Sequence, residues 1–137
     1  MISTSKLKDV ERLVRVAMIL IMLTAGTSKF FSQGGFFAYS SQSFQGDLRI
    51  NLPPLLVNFY LTIIPFIEIF LGLALLSNKY KIYTVYAWFA YILSLLFGHY
   101  ILQEWSAVNG VLDYIFLGLF CFVLPNHSSW FKRDISS

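Results

Sequence analysis

The chain has 137 residues, of which 57% are hydrophobic, 18% aromatic and only 12% charged, with a formal net charge of +3 and a mean hydropathy of +0.66. Soluble domains carry about 25% charged residues, so an ordinary water-soluble globule is excluded and most side chains must meet lipid. The single cysteine, Cys121, excludes an intrachain disulfide and a self-contained dithiol centre.

Crossing about 30 Å of hydrocarbon at about 1.5 Å per residue takes roughly 20 apolar residues, and four segments satisfy this. The first runs from about Leu13 to Phe31, ending at Gly34 and Gly35. A loop of some twenty residues follows, with Phe36, Phe37, Tyr39 and Phe44 among Ser, Gln and Gly, which reads either as a short amphipathic helix at the membrane surface or as a plain loop. The second crossing, about Leu55 to Leu76, follows Pro53 and Pro54; Ser77-Asn78-Lys79 separates it from the third, about Ile82 to Gln103. The fourth runs from about Asn109 to Leu124. The expected fold is a single all-α, four-helix transmembrane bundle over residues 1–137.

An even number of crossings puts both termini on one side. Lys6, Lys8, Arg12, Arg15, Lys79, Lys81, Lys132 and Arg133 then share a face, against Lys29 and Arg49 on the other. The excess of basic residues on one face predicts cytoplasmic termini and an outer first loop. Tyr80, Tyr83 and Trp130 near one boundary, and Tyr60, Tyr100 and Trp105 near the other, fit aromatic belts. A secretory signal cleaved after Gly26 is the lesser reading, because Arg15 crowds its apolar core and cleavage would leave three helices.

Charged residues inside a membrane are costly and either face the bundle interior, as expected for Arg15 and Lys29, or snorkel to the headgroups, as expected for Arg12. On the first helix, Lys8, Arg12, Arg15, Ile19, Met22, Gly26 and Lys29 follow steps of three and four and form one stripe. Counting residues as depth brings Lys29, His99 and Asp113, on three helices, to one level in the outer leaflet; Asn109 lies one turn from Asp113, and Asn58 is at similar depth. This cluster is the candidate site: either a pocket that binds and protonates a small amphipathic headgroup, or a polar clamp with no ligand. Deeper, Glu68 follows Pro65 by three residues, and Arg15 is the cation nearest to it by depth. His99 and His127 belong to opposite ends, metal-ligand spacing is absent, nucleotide-binding glycine motifs are absent, and the basic residues are topology determinants with no nucleic-acid role. Cys121, within an apolar run, reads as packing.

Arg15, the run Gly26-Thr27-Ser28-Lys29-Phe30 and the segment Pro65-Phe66-Ile67-Glu68-Ile69-Phe70-Leu71-Gly72-Leu73-Ala74-Leu75-Leu76 resemble the DoxX and MauE group of small bacterial membrane proteins over about residues 10–125. In that group Arg15, Lys29 and Glu68 match recurrent polar positions, while His99 and Asp113 rest on the depth argument. The resemblance implies association with redox systems: a membrane subunit of a quinone-linked oxidoreductase in some relatives, assistance in maturing a periplasmic amine dehydrogenase in others. Two expectations follow. One is a redox-associated subunit that binds a quinone-like molecule and takes electrons from a separate protein, with no covalent cofactor. The other is a non-catalytic adaptor or maturation factor for a partner protein. A homo-oligomer is compatible with both.

Overall fold

The computed structural model describes residues 3–31, 34–40, 52–127 and 130. Five helices follow one another, α1 (Thr4–Phe31), α2 (Gly35–Ser40), α3 (Pro54–Ala74), α4 (Lys81–Ile101) and α5 (Trp105–Val123), with no strand among the described residues. All but α2 are long and apolar enough to cross a membrane. The four expected crossings are present, with shifted ends. α1 begins nine residues before Leu13, because Thr4 to Arg12 is a charged amphipathic run that continues the helix beyond the apolar part. α5 begins at Trp105, four residues before Asn109, since Trp105 to Val108 contains no helix breaker.

Turn chemistry sets the corners. Pro53 precedes α3 and Pro54 opens it, where a missing N–H costs nothing. Gly34 and Gly35, at φ 86° and 68°, take the left-handed conformation that turns the chain from α1 into α2. The helical alternative for part of the long loop thus holds for Gly35–Ser40; Phe44, Arg49 and the rest of 41–51 lie outside the described residues. Between α4 and α5, Gln103 adopts a φ of 56° without being glycine.

α1 packs chiefly on α3 and α4 chiefly on α5, and the two pairs meet through α1 with α5 and α3 with α4. We call the end holding the start of α1 the basal end and the end holding α2 the loop end. The core is a column of Met18, Met22, Leu71, Leu75, Val85, Trp88 and Ile92. The stripe expected to face inward does so at Arg15, Ile19, Met22 and Gly26, all buried. Large apolar side chains such as Phe70, Tyr83, Phe97 and Phe116 point outward, as they must where lipid is the solvent.

Gly26 sets the distance between α1 and α3. A Cβ there would lie 2.8 Å from Ile69 Cγ1 and 2.9 Å from the Pro65 carbonyl oxygen, a backbone atom that cannot swing aside. Gly98 faces open space. Gly26→Ala should therefore destabilise the bundle by about 1–3 kcal/mol, as overpacking does, whereas Gly98→Ala should leave it unchanged or slightly stabilised; thermal unfolding in detergent micelles measures both.

Candidate functional site: two buried ionic centres

At the basal end Glu11 and Arg15 stand one helical turn apart on the buried face of α1, so their side chains meet. The Arg15 guanidinium donates to Glu11 Oε1 through Nε at 2.9 Å and also through Nη2. Lys81, the first residue of α4, brings its ammonium to 3.1 Å from the same oxygen and donates to the Leu124 carbonyl at 2.7 Å. His127 takes the other carboxylate oxygen, with Nδ1 at 2.6 Å and its backbone N–H at 3.3 Å. Glu11, Arg15 and His127 are each at most 1% exposed.

Two asparagines complete this centre. Asn78, in the turn between α3 and α4, accepts from Arg15 Nη1 through Oδ1 and donates to the His127 carbonyl at 3.1 Å. Asn126 Oδ1 accepts from Arg15 Nη2 at 3.3 Å. Trp130 closes the assembly. Its Nε1 donates to the Leu76 carbonyl at 2.9 Å, its ring lies edge-on to His127, and the Arg15 guanidinium is 5.5 Å from its centroid. Trp130 is thus at the expected boundary, but it packs on a cation instead of only lining the lipid surface.

The second centre lies about midway along the bundle. Lys29 Nζ donates to both oxygens of Glu68, at 2.9 and 2.6 Å, and to the Ala25 carbonyl at 3.1 Å. Tyr91 of α4 donates to Glu68 Oε1 at 2.6 Å, so one carboxylate ties α1, α3 and α4 together. One turn on, Tyr60 of α3 shares a 2.8 Å hydrogen bond with Ser94 of α4. From α2, Tyr39 presents its ring 5.7 Å from Lys29 Nζ. Burial, reinforced by the Glu68 charge, pushes the Tyr39 phenol up from its ordinary value.

This arrangement departs from the cluster expected by depth. Lys29, His99 and Asp113 are not brought together. Lys29 curls back toward the N-terminus of its helix, as helical side chains do, and its ammonium sits a turn below its Cα. That backward reach explains why a count of Cα positions separated it from Glu68. His99 pairs locally, Nδ1 to Glu104 Oε2 at 2.6 Å, where the chain turns into α5. Asp113 and Asn109 are exposed on α5, and Asn58 is exposed on α3. The expected pairing of Arg15 with Glu68 is also corrected: Arg15 is held by Glu11 on its own helix. Arg12 and Asp9, both half-buried, form a further pair at 3.6 Å on the first turns of α1. Cys121 is fully buried, as its apolar context suggested.

Glu11, Lys81, Asn78, Asn126 and His127 are the members that sequence reasoning missed. Glu11 was legible in principle, since an acid four residues before Arg15 is a helix pair. The others join only through the basal turns, which residue spacing does not reveal.

Beside the second centre, the four spanning helices border a crevice of about 450 Å³, lined among others by Thr24, Ala25 and Ser28 of α1, Glu68 of α3, Leu95 of α4 and Tyr114 of α5. Its walls are mainly aliphatic, with hydroxyl and carboxylate groups on the α1 and α3 sides.

The sequence profile of the family described as "Methylamine utilisation protein MauE" matches residues 7–113. The chain belongs to the MauE family. No curated protein and no solved structure matches it. The family match covers Glu11, Arg15, Lys29, Glu68, Lys81 and Tyr91, so most of both ionic centres falls in the MauE region, while Asn126, His127 and Trp130 lie beyond it.

Taking one partner from a buried ion pair leaves the other uncompensated, a loss of about 3–5 kcal/mol, whereas an exposed pair is worth about 0–1 kcal/mol. Glu11→Gln should accordingly lower bundle stability by about 3–5 kcal/mol and Glu104→Gln by under about 1 kcal/mol, read from equilibrium unfolding in mixed micelles.

Proposed function

We propose that this MauE-family protein is a non-catalytic membrane accessory protein that assists a redox-associated partner in the cell envelope. The observation that carries this reading is that its buried ionisable groups are engaged with one another by ion pairs and hydrogen bonds. Glu11 is taken up by Arg15, Lys81 and His127, and Glu68 by Lys29 and Tyr91. Groups engaged in this way fasten helices and give the bundle one arrangement. The family description, methylamine utilisation, agrees with a chain that serves another protein's activity. The excess of basic residues at the basal end supports cytoplasmic termini in a bacterial inner membrane, with α2 facing outward.

A second reading rests on the crevice beside Glu68. It is an open crevice of about 450 Å³, and its aliphatic walls with a polar side suit an amphipathic molecule of the quinone type.

Deletion of the gene in its host, followed by quantification of envelope proteins, tests the accessory role. The expected result is a severalfold loss of one exported or membrane redox protein, restored by the wild-type gene. An unchanged envelope proteome, together with quinone that copurifies with wild type and is lost from a folded Glu68→Gln variant, would replace the accessory reading with the ligand-binding one.

A further inference from the structure

Asp113 stands near the middle of α5, about 12 Å from the level of Trp105 and about 15 Å from that of Val123 at ~1.5 Å per residue. Starting α5 at Trp105 therefore places this carboxylate deeper in the span than the sequence suggested. It lies on the outer face of the bundle. Val111, Gly118 and Cys121 turn α5 toward its neighbours, while Asn109, Asp113, Phe116 and Phe120, spaced by four, three and four residues, are all exposed. α5 is also the least covered of the four spanning helices.

A carboxylate facing lipid at this depth is among the costliest arrangements a membrane protein can hold, and the short aspartate side chain cannot reach a headgroup layer about 12 Å away. Five cations of the described residues are directed elsewhere: Arg15 and Lys81 to Glu11, Lys29 to Glu68, Arg12 to Asp9 and Lys79 to the Tyr80 ring. A second copy packed with Asp113 against its twin would hold two carboxylates together, which is tolerable only if they share a proton. The chemistry that fits is the opposite charge carried on an apolar helix.

We propose that the face of α5 formed by Asn109, Asp113, Phe116 and Phe120 docks a transmembrane helix of a partner protein that carries a lysine or arginine near the middle of its span. Asp113 supplies the counter-charge, Asn109 a hydrogen-bonding group one turn away, and the two phenylalanines the apolar contact. The partner chemistry named here deepens the accessory reading and rests on it.

The purified protein, in phosphatidylcholine vesicles, is mixed with a labelled leucine-rich transmembrane helix of about 20 residues bearing one central lysine, and association is followed by energy transfer. Wild type and Asp113→Glu should bind this helix about tenfold more tightly than Asp113→Asn. An all-leucine helix should bind all three weakly and alike. Unaltered thermal midpoints establish that the variants are folded. Equal binding of the lysine helix by wild type and Asp113→Asn would overturn the proposal, as would self-association of wild type that Asp113→Asn abolishes, which assigns the face to a second copy. Either result, beside loss of an envelope protein on gene deletion, would remove Asp113 from the account while leaving the accessory role in place.

Discussion

A carboxylate removed from water must find its hydrogen-bonding and charge partners within the protein, and Glu11 finds them in three separate stretches of chain. Arg15 comes from its own helix, Lys81 from the start of α4 and His127 from the segment after α5. Asn78 and Asn126 fill the remaining positions around the guanidinium. The basal end of the bundle is thereby fixed by one polar assembly. In lipid this matters more than it would in water, because apolar faces gain little by leaving a hydrocarbon solvent for a protein interior. Which faces meet is decided by ion pairs, hydrogen bonds and close packing.

The second centre repeats this logic halfway along the helices. Gly26 lets α1 approach α3 closely enough for Lys29 to fold back onto Glu68, and Tyr91 fastens the same carboxylate to α4. α1 is thus held at two levels by opposite-sign contacts, and both levels lie on the one buried stripe of that helix. α5 is different. Its basal end is tied in by the Lys81 bond to the Leu124 carbonyl and by His127, but along its length it joins through apolar packing on α4, with Gly118 close against Trp88, and through the Trp88 indole donating to the Tyr114 carbonyl at 3.3 Å. Its outer side retains an acidic residue in the span. The division suits the accessory role proposed above: three helices clamped together, and a fourth with a face to offer.

The architecture was legible because hydrophobic run length and charge position are one-dimensional properties. Four crossings, their breaks at Pro53-Pro54 and Ser77-Asn78, and the inward stripe from Arg15 to Gly26 could all be read from residue order. The partners of the buried charges could not. Depth counted along Cα atoms ignores side-chain reach, and Lys29 is the residue where that omission decided the outcome. It also assigns no rotation to a helix, which is why Asp113 and Asn109 were grouped with Lys29 although they face away from it. His127 was passed over because its contribution comes from the chain folding back after Pro125, a feature with no periodicity to betray it.

The most direct measurement is a nitrogen–carbon distance in lipid bilayers by solid-state NMR, with Lys81 Nζ and the Glu11 carboxyl carbon labelled in the intact protein. The account predicts a strong dipolar coupling, consistent with an ammonium within ~4 Å of a carboxylate oxygen, and its loss when His127→Leu and Asn78→Leu together dismantle the surroundings of Glu11. Absence of coupling in wild type would mean that Glu11 does not join α1 to α4, and the basal assembly would no longer explain how the bundle is held.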